Sequence, residues 1–515
     1  MWIDREYIRL RCLHKDQAIY DGLHLVARRR SRPATTGAIQ KAQKKHNVVV
    51  ISVGATSRSD LERNFRYTAS FLRHSLEAHE LHGYSAVGAG SFASAAAFLG
   101  GMTAGEAWAR SSGSFYDVLP LLWKEYSKEG HWTLYIEETP SEGAFVDPVD
   151  RGFLRKPTDH YPLAIASQMS VPDKAARSLE HDVGMSNDQP SICSGYRLRS
   201  KALLNYASDL IRASDGQPFF AFINLKDSSR HGANARVLDK PLKTFLANLK
   251  RQNVSVETTV VLLSDIGKSH WDTGIAGDGS GLPFCFVKLA PLLVERYLSV
   301  SSSLSVNQHR LTAPYDVHAT LKALAALPGE LSLQPTRHGQ SLLAQIPTNR
   351  TCLDASVPKE FCACVEGSHV SSPQVRPETL QVARRALEFV NNATSSLLQL
   401  KQYCATFALW RVEYVDENPS PVTSAASTNA SPIEKVLMIL STVPRAIFSV
   451  RARRIAASIE YGVEGDNKTA NDESFHKLEI MDVDRIDRYA DDVSKCIKFV
   501  NAKVRRYCYC KDIAL

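Results

Sequence analysis

The chain has 515 residues, 44% apolar and 23% charged, with a formal net charge of +8. Those proportions are ordinary for a globular protein and exclude a wholly disordered, collagen-like or membrane-embedded chain. Residues 1–46 hold eleven Lys/Arg against four Asp/Glu, so the body of the chain is close to neutral and no nucleic-acid partner is expected.

Taken in chain order, residues 1–46 read as a basic N-terminal arm, with Arg28–Arg30, Lys44 and Lys45 as a solvated lead-in. Met1–Arg32 has no apolar core of signal-peptide length. Val48–Val53 reads as a buried strand and Leu61–Leu76 as a helix with Leu61, Phe65, Thr68, Leu72 and Leu76 on one face. Ala86–Gly105 is uncharged and long enough to span a membrane, but its Gly, Ala and Ser content points to a close-packed loop and helix. Helices are expected at Phe115–Lys128, Leu198–Ala213, Leu238–Leu249 and Tyr315–Leu327. They alternate with strands at Thr133–Ile136, Phe219–Leu225, Thr258–Ser264 and Phe284–Leu289. That alternation predicts an α/β fold with a mostly parallel sheet covered by helices on both faces. Beyond Cys364 come a Ser/Pro linker at Gly367–Pro377, a long helix at Pro377–Tyr403, a mobile loop at Asp416–Pro432, a folded apolar run at Val436–Val450 and an exposed polar stretch at Val463–Ser474. The expected organisation is therefore an arm (1–46), a core (47–365) and a cysteine-containing C-terminal α+β extension packed on it (378–515).

Seven of the ten cysteines lie from Cys352 onward, including the pairs Cys362/Cys364 and Cys508/Cys510. Neither pair has zinc-ribbon spacing, so disulfides and an oxidising compartment are the expected reading. Five N-x-[ST] sequons, at Asn253, Asn349, Asn392, Asn429 and Asn467, agree with a secreted glycoprotein. Without a signal peptide the chain either is cytoplasmic or lacks its natural N-terminus. The cysteines favour the second, an extracellular or membrane-tethered ectodomain that meets a membrane only through a missing N-terminal anchor.

Functional residues of an open α/β sheet gather at the carboxyl ends of its strands. Those ends carry Gly54–Arg58, Lys226–His231 and Asp265–Gly267, and Asn307–Arg310 leads into the helix near Pro314. Asp227, His231 and His309 make a set for a tetrahedral zinc with water as fourth ligand, against the plainer reading of solvated loop residues. His160 reads as a hydrogen-bonded structural histidine, His318 as a packing or capping residue, and Asp60 as part of the helix after Gly54 rather than a ligand.

Five segments resemble one animal family: Val48–Arg58, Gly88–Phe92, Pro157–Tyr161, NQHRLTAPYDVHATL at Asn307–Leu321 and NRTCLDASVPKEFCAC at Asn349–Cys364. Arg485–Tyr489 and the closing Cys508-Tyr509-Cys510 resemble its end. That family is domain of unknown function 229, a branch of the sulfatase and alkaline-phosphatase-like superfamily. The resemblance implies a three-layer α/β/α sandwich and hydrolysis of phosphate or sulfate esters by two metal ions and a metal-activated nucleophile. It places the second metal, a zinc or other divalent ion, on Asp227, His231 and His309. The first would be held by Asp265 and the nucleophile position, Ser91. The other two first-site ligand positions read Gly54 and Ile266, which cannot ligate, and His270 lies four residues beyond Ile266. The expectation is a catalytically degenerate, pseudoenzyme-like domain that binds an anionic ester or glycan-like ligand. The alternative is a metal-dependent ester hydrolase using Ser91.

Overall fold

The computed structural model describes residues 6–15, 17–28, 45–88, 90–111, 115–145, 152–171, 192–214, 216–226, 235–252, 254–267, 282–327, 329, 331–358, 361–363, 377–395, 398–419, 433–456, 476–485, 493–497, 504 and 507–512. The chain divides into two compact units, Met1–Cys364 and Val365–Leu515.

The first unit opens with an antiparallel hairpin, β1 (Tyr7–His14) and β2 (Gln17–Leu25). Part of the basic segment is thus folded, and Arg9 Nε donates to Asp21 Oδ1 at 2.7 Å within it. Strands β3 (Asn47–Val53), β4 (His79–Glu80), β5 (Gly83–Tyr84), β6 (Trp132–Glu137), β7 (Cys193–Ser194), β8 (Arg197–Leu198), β9 (Phe219–Leu225), β10 (Thr258–Ser264), β11 (Cys285–Lys288) and β12 (Leu311–Thr312) follow. Interleaved with them are helices α1 (Arg58–Asn64), α2 (Arg66–His74), α3 (Ser91–Gly100), α4 (Ala104–Ser111), α5 (Leu122–Lys128), α6 (Leu163–Met169), α7 (Arg199–Ala213), α8 (Ala235–Arg251), α9 (Pro291–Arg296), α10 (Leu298–Asn307) and α11 (Pro314–Ala325).

A six-stranded sheet in the order β4-β11-β10-β3-β9-β6 forms the centre, with β10, β3, β9 and β6 mutually parallel and β11 antiparallel to both its neighbours, β10 and β4, at one edge. Side-chain alternation sends Val48, Val50, Phe220, Phe222, Val261 and Leu263 to one face, packed with α3, α5 and α11. Val49, Ile51, Ile223, Val260 and Leu262 go to the other, packed with α2, α7 and α8. Apolar residues on both faces of every central strand are what a buried parallel sheet requires. The expected three-layer α/β/α sandwich is the observed one.

Local differences from the expected elements have identifiable causes. The helix anticipated over Leu61–Leu76 is broken at Phe65, because Asp239 of α8 accepts the first amides of α2, Tyr67 N at 2.9 Å and Thr68 N at 2.8 Å. A distant cap of that kind leaves no local signal. Phe115–Lys128 is a 3-10 turn at Tyr116–Val118 followed by α5, since Pro120 disfavours helical backbone at Leu119.

The two segments most specific to the family resemblance fasten to each other. Asp316, in the first turn of α11, is fully buried and takes Arg350 bidentately, Nη1 to Oδ2 at 2.8 Å and Nη2 to Oδ1 at 2.9 Å. The same carboxylate accepts Ala313 N and Gln340 N, each at 2.8 Å. Burial pushes the Asp316 pKa up, and the Arg350 hydrogen bond opposes that shift. Asn307 holds the same region, donating to the Leu342 and Ala344 carbonyls and accepting from Ile346 N. A disulfide, Cys352–Cys362, closes the loop beside it.

The second unit has helices α12 (Pro377–Ser395) and α13 (Leu398–Lys401), then a four-stranded antiparallel sheet of β13 (Ala408–Pro419), β14 (Ile433–Val443), β15 (Ile447–Ala456) and β16 (His476–Arg485). Val382, Ala386 and Val390 of α12 pack on Val412, Met438, Leu440, Phe448 and Val450. The anticipated loop at Asp416–Pro432 starts later than read, because β13 stays paired with β14 as far as Pro419. Residues 367–376 of the linker and the polar stretch 463–474 lie outside the described residues. Disulfides Cys404–Cys508 and Cys496–Cys510 tie the end of the chain to this unit, and Cys364 lies outside the described residues. Among the described residues no helix is long and apolar enough to cross a membrane.

Removing one partner of the buried ion pair leaves the other charge uncompensated. Asp316→Asn is expected to lower stability by about 3–5 kcal/mol, read from urea unfolding. A loss of under about 1 kcal/mol would show that the pair does not fasten the segment.

Two buried histidines set the acid limit of stability. His46 is pushed down to about 3 and His318 to about 4 from an ordinary 6.5, in both cases chiefly by burial. At these two sites the unfolded chain binds protons below about pH 6.5 that the folded chain refuses, so their contribution to stability falls as pH drops from there toward 4. It is opposed over the same range by Glu138, whose carboxyl burial pushes up to about 7. Thermal midpoints measured across that range should fall less steeply for His318→Gln than for the wild type.

Candidate functional site

The parallel strands end in register, Val53 opposite both Leu225 and Ser264, so the residues that follow share one edge of the sheet. Gly54 continues β3 by donating its N–H to the Leu225 carbonyl at 2.7 Å. Asp265, after β10, is 3% exposed, and its Oδ1 accepts Ala55 N at 2.7 Å and Ile266 N at 2.8 Å. Its Oδ2 accepts the hydroxyl of Ser91. Ser91 opens α3 behind Gly90, whose φ of 91° is a backbone state that glycine adopts without the Cβ penalty. The run Ala93–Leu99 is buried, which anchors that helix, as its Ala-rich sequence implied.

Lys226, after β9, crosses the end of β3. A Cβ built on Gly54 would lie 3.1 Å from Lys226 Cγ and 3.6 Å from Asp265 Oδ2. The Lys226 amide donates to Glu138 Oε2 at 2.8 Å, and its ammonium is turned to the Glu142 carbonyl. Glu137 and Glu138 end β6 and are both buried. Glu137 accepts Tyr135 Oη at 2.5 Å, Asn224 Nδ2 at 2.7 Å and Ala144 N at 3.1 Å. Burial pushes Glu138 up to about 7 and raises Glu137 as well. Two adjacent acids at a strand end were a signal visible in the sequence. Their partners, spread over three segments, were not.

Of the expected site residues, Ser91 and Asp265 are brought together. His309 is exposed, and its ring stacks on His82 at 5.3 Å between centroids. Asp227, His231 and His270 lie outside the described residues, so His309 is the described member of the second-metal set.

The three residues singled out as structural have structural partners. His160 pairs with Leu134 as an extra bridge on β6, and its ring meets Trp132 edge-on at 5.6 Å. His318 lies under the end of α3, where a Cβ on Gly101 would strike its ring. Asp60 completes the cap of α1, accepting Ser57 Oγ at 2.9 Å and Arg63 Nη2 at 3.0 Å.

The first-metal residues do not fit a metal ion. A Cβ at position 54 would press on the Lys226 stem at 3.1 Å, Gly54 itself offers no ligand atom, and Ile266 contributes only its amide. The Asp265 oxygens are engaged by two backbone N–H groups and Ser91.

A family model described as "Protein of unknown function (DUF229)" matches residues 2–413. The chain belongs to the DUF229 family. No curated protein matches it. Solved structures similar to this DUF229 chain include a 2-O GAG sulfatase, at 11% identity and a TM-score of 0.39, covering 79% of this chain and 83% of the other. An alkaline phosphatase superfamily protein from Vibrio parahaemolyticus is 10% identical with a TM-score of 0.37, covering 79% of each chain. The lipoteichoic acid synthase LtaP from Listeria monocytogenes is 11% identical with a TM-score of 0.34, covering 59% of this chain and 75% of the other.

Gly54→Asp is expected to lower stability by about 1–3 kcal/mol, because the new side chain overpacks against Lys226. The double variant with Lys226→Ala should recover part of that loss in the same unfolding measurement. A Gly54→Asp chain as stable as the wild type would show that Lys226 does not fill the position.

Proposed function

We propose that this DUF229 protein is a sulfatase- and alkaline-phosphatase-like domain that has lost two-metal ester hydrolysis and acts as a binding module. The observation that carries the reading is the Lys226 stem lying over Gly54, where the superfamily pattern expects an acidic metal ligand. A serine hydroxyl is a weak nucleophile at its free pKa and needs a metal or a base to activate it. With no ligating side chain at positions 54 and 266, Ser91 has the carboxylate of Asp265 as its partner among the described residues.

That carboxylate also bears on the ligand. A fixed anion repels an incoming phosphate or sulfate ester and leaves a neutral hydroxyl-bearing ligand unaffected. Lys226 directs its ammonium to the Glu142 carbonyl. Of the two expected ligand classes, the glycan-like one therefore suits this edge of the sheet better than an anionic ester.

The retained Ser91–Asp265 contact supports a second reading, a metal-dependent phospho- or sulfo-ester hydrolase with Ser91 as nucleophile. In either reading Asp227, His231 and His309 are the residues that would hold a zinc at the second site, where the ion would supply Lewis-acid chemistry.

The three disulfides support an oxidising compartment, so the protein is proposed to work outside the cell or tethered to its surface. The sequons at Asn349 and Asn392 are exposed and available for glycans there.

Metal analysis paired with ester turnover tests the function. Oxidised protein is expected to carry no more than one zinc per chain, lost in His309→Ala, and to turn over phosphate and sulfate esters no faster than Ser91→Ala. Two metals per chain with turnover abolished by Ser91→Ala would overturn the binding-module reading in favour of the hydrolase. Chain expressed through a secretory route should show an endoglycosidase-sensitive mass shift that shrinks in Asn349→Gln and in Asn392→Gln. A mass shift unchanged by either substitution would remove these two sites from the extracellular argument.

A further inference from the structure

Four cysteines of the C-terminal unit converge on one spot. Cys404 follows α13, Cys496 sits in the 3-10 turn Lys495–Ile497, and Cys508 and Cys510 stand two apart near the chain end. They are bonded as Cys404–Cys508 and Cys496–Cys510, and the two bonds lie side by side. Cys496 Sγ is 3.9 Å from Cys508 Sγ, and the sulfurs of Cys496, Cys508 and Cys510 all lie within 4.8 Å of one another, while Cys404 stands outside that trio and is joined to it through its bond to Cys508. A tetrahedral zinc tetrathiolate with Zn–S bonds of about 2.3 Å places its sulfurs about 3.8 Å apart. The gap between the two disulfides is already one edge of that tetrahedron.

The backbone holds this arrangement by bonds other than the disulfides. Cys404 and Cys510 face each other in an antiparallel bridge. Ala405 N donates to the Tyr509 carbonyl at 2.7 Å, Lys511 N to the Tyr403 carbonyl at 2.9 Å and Cys510 N to the Val493 carbonyl at 2.7 Å. The Cys496 amide donates to Cys510 Sγ at 3.0 Å. An N–H aimed at sulfur favours the thiolate over the thiol, which is the form that binds metal. The Arg485 guanidinium, buried and donating to the Cys508 carbonyl at 3.0 Å, adds a positive charge beside the cluster.

We propose that Cys404, Cys496, Cys508 and Cys510 form a redox-switched zinc site, two disulfides when oxidised and a zinc tetrathiolate when reduced. The reductant is a dithiol. Its thiolate attacks Cys496 Sγ, the half-buried sulfur of the four, and Cys510 leaves as the thiolate. The reagent's second thiol then attacks its own sulfur in the mixed disulfide, closing a cyclic disulfide and freeing Cys496. Cys404–Cys508 is opened in the same way, so two dithiols supply four electrons and four protons. One Zn²⁺ then binds the four sulfurs and releases the four thiol protons. The C-terminal unit thereby keeps a cross-link in either redox state.

The full chain, reduced by a dithiol in the presence of zinc and cleared of free metal, should retain one zinc per chain at this cluster and release it on reoxidation. Cobalt in place of zinc should give the intense visible bands of a tetrahedral thiolate site. This metal is separable from any at the second site of the core, since it appears only after reduction and survives His309→Ala. Cys510→His provides the decisive variant, because histidine ligates zinc but forms no disulfide. It is expected to hold zinc with shifted cobalt bands, while Cys510→Ser weakens binding by at least about a hundredfold. The Cys352→Ser, Cys362→Ser chain should bind as the wild type does. Absence of retained zinc in the reduced chain, octahedral cobalt bands, or equal binding by Cys510→Ser would each overturn the proposal.

Discussion

Strands β10, β3, β9 and β6 are packed by helices on both faces, so their side chains have little to offer but apolar contact. Polar chemistry is thereby pushed to the strand ends, where the chain leaves the sheet. Because the four strands are parallel and in register, Gly54, Glu138, Lys226 and Asp265 are delivered to the same edge whatever their identities. The fold supplies an address, and the residues occupying it decide what can happen there. At this address a lysine stem fills the room beside a glycine, and a carboxylate is satisfied by two amides and a hydroxyl. Those are the attributes of a settled polar cluster. A metal-loaded site would need carboxylates and imidazoles with lone pairs left to give.

The central strands and their order of appearance were legible in the sequence because fully buried strands are written as β-branched and aromatic runs. Thr258–Ser264 and Phe219–Leu225 have the bounds expected of them. What was not legible depended on distant partners. The break at Phe65 comes from Asp239, far along the chain on α8, and the pairing of the cysteines from a convergence of three chain segments. In the site, Ser91 and Asp265 were legible through their positions in the family pattern, and their contact follows. Lys226 was visible as a strand-end residue, yet nothing local indicated that its stem would cross to Gly54, since that depends on strand adjacency and side-chain direction.

The segments that carry the family resemblance act mainly as fastenings. Asn307–Leu321 and Asn349–Cys364 meet through Asp316–Arg350, and Ser85 of the strand-end region accepts Ala363 N at 2.9 Å. Asn307 spends its whole side-chain amide on the backbone of residues 342–346. The residues that fasten these segments and those at the strand ends therefore answer to different demands. The buried ion pair must be complete or it becomes a liability.

That separation explains how Gly54 and Ile266 coexist with an intact scaffold. Ile266 offers the site its amide, which donates to Asp265. Ala55 does the same from β3, in a left-handed backbone state with φ of 41° that aims its N–H at the carboxylate. A left-handed non-glycine residue costs of order 1–3 kcal/mol unless its surroundings hold it. Here the Asp265 carboxylate supplies that hold. The amides of Ala55 and Ile266 and the hydroxyl of Ser91 together compensate this buried anion. Two backbone donors and one hydroxyl thus hold the Asp265 carboxylate in place at the end of β10.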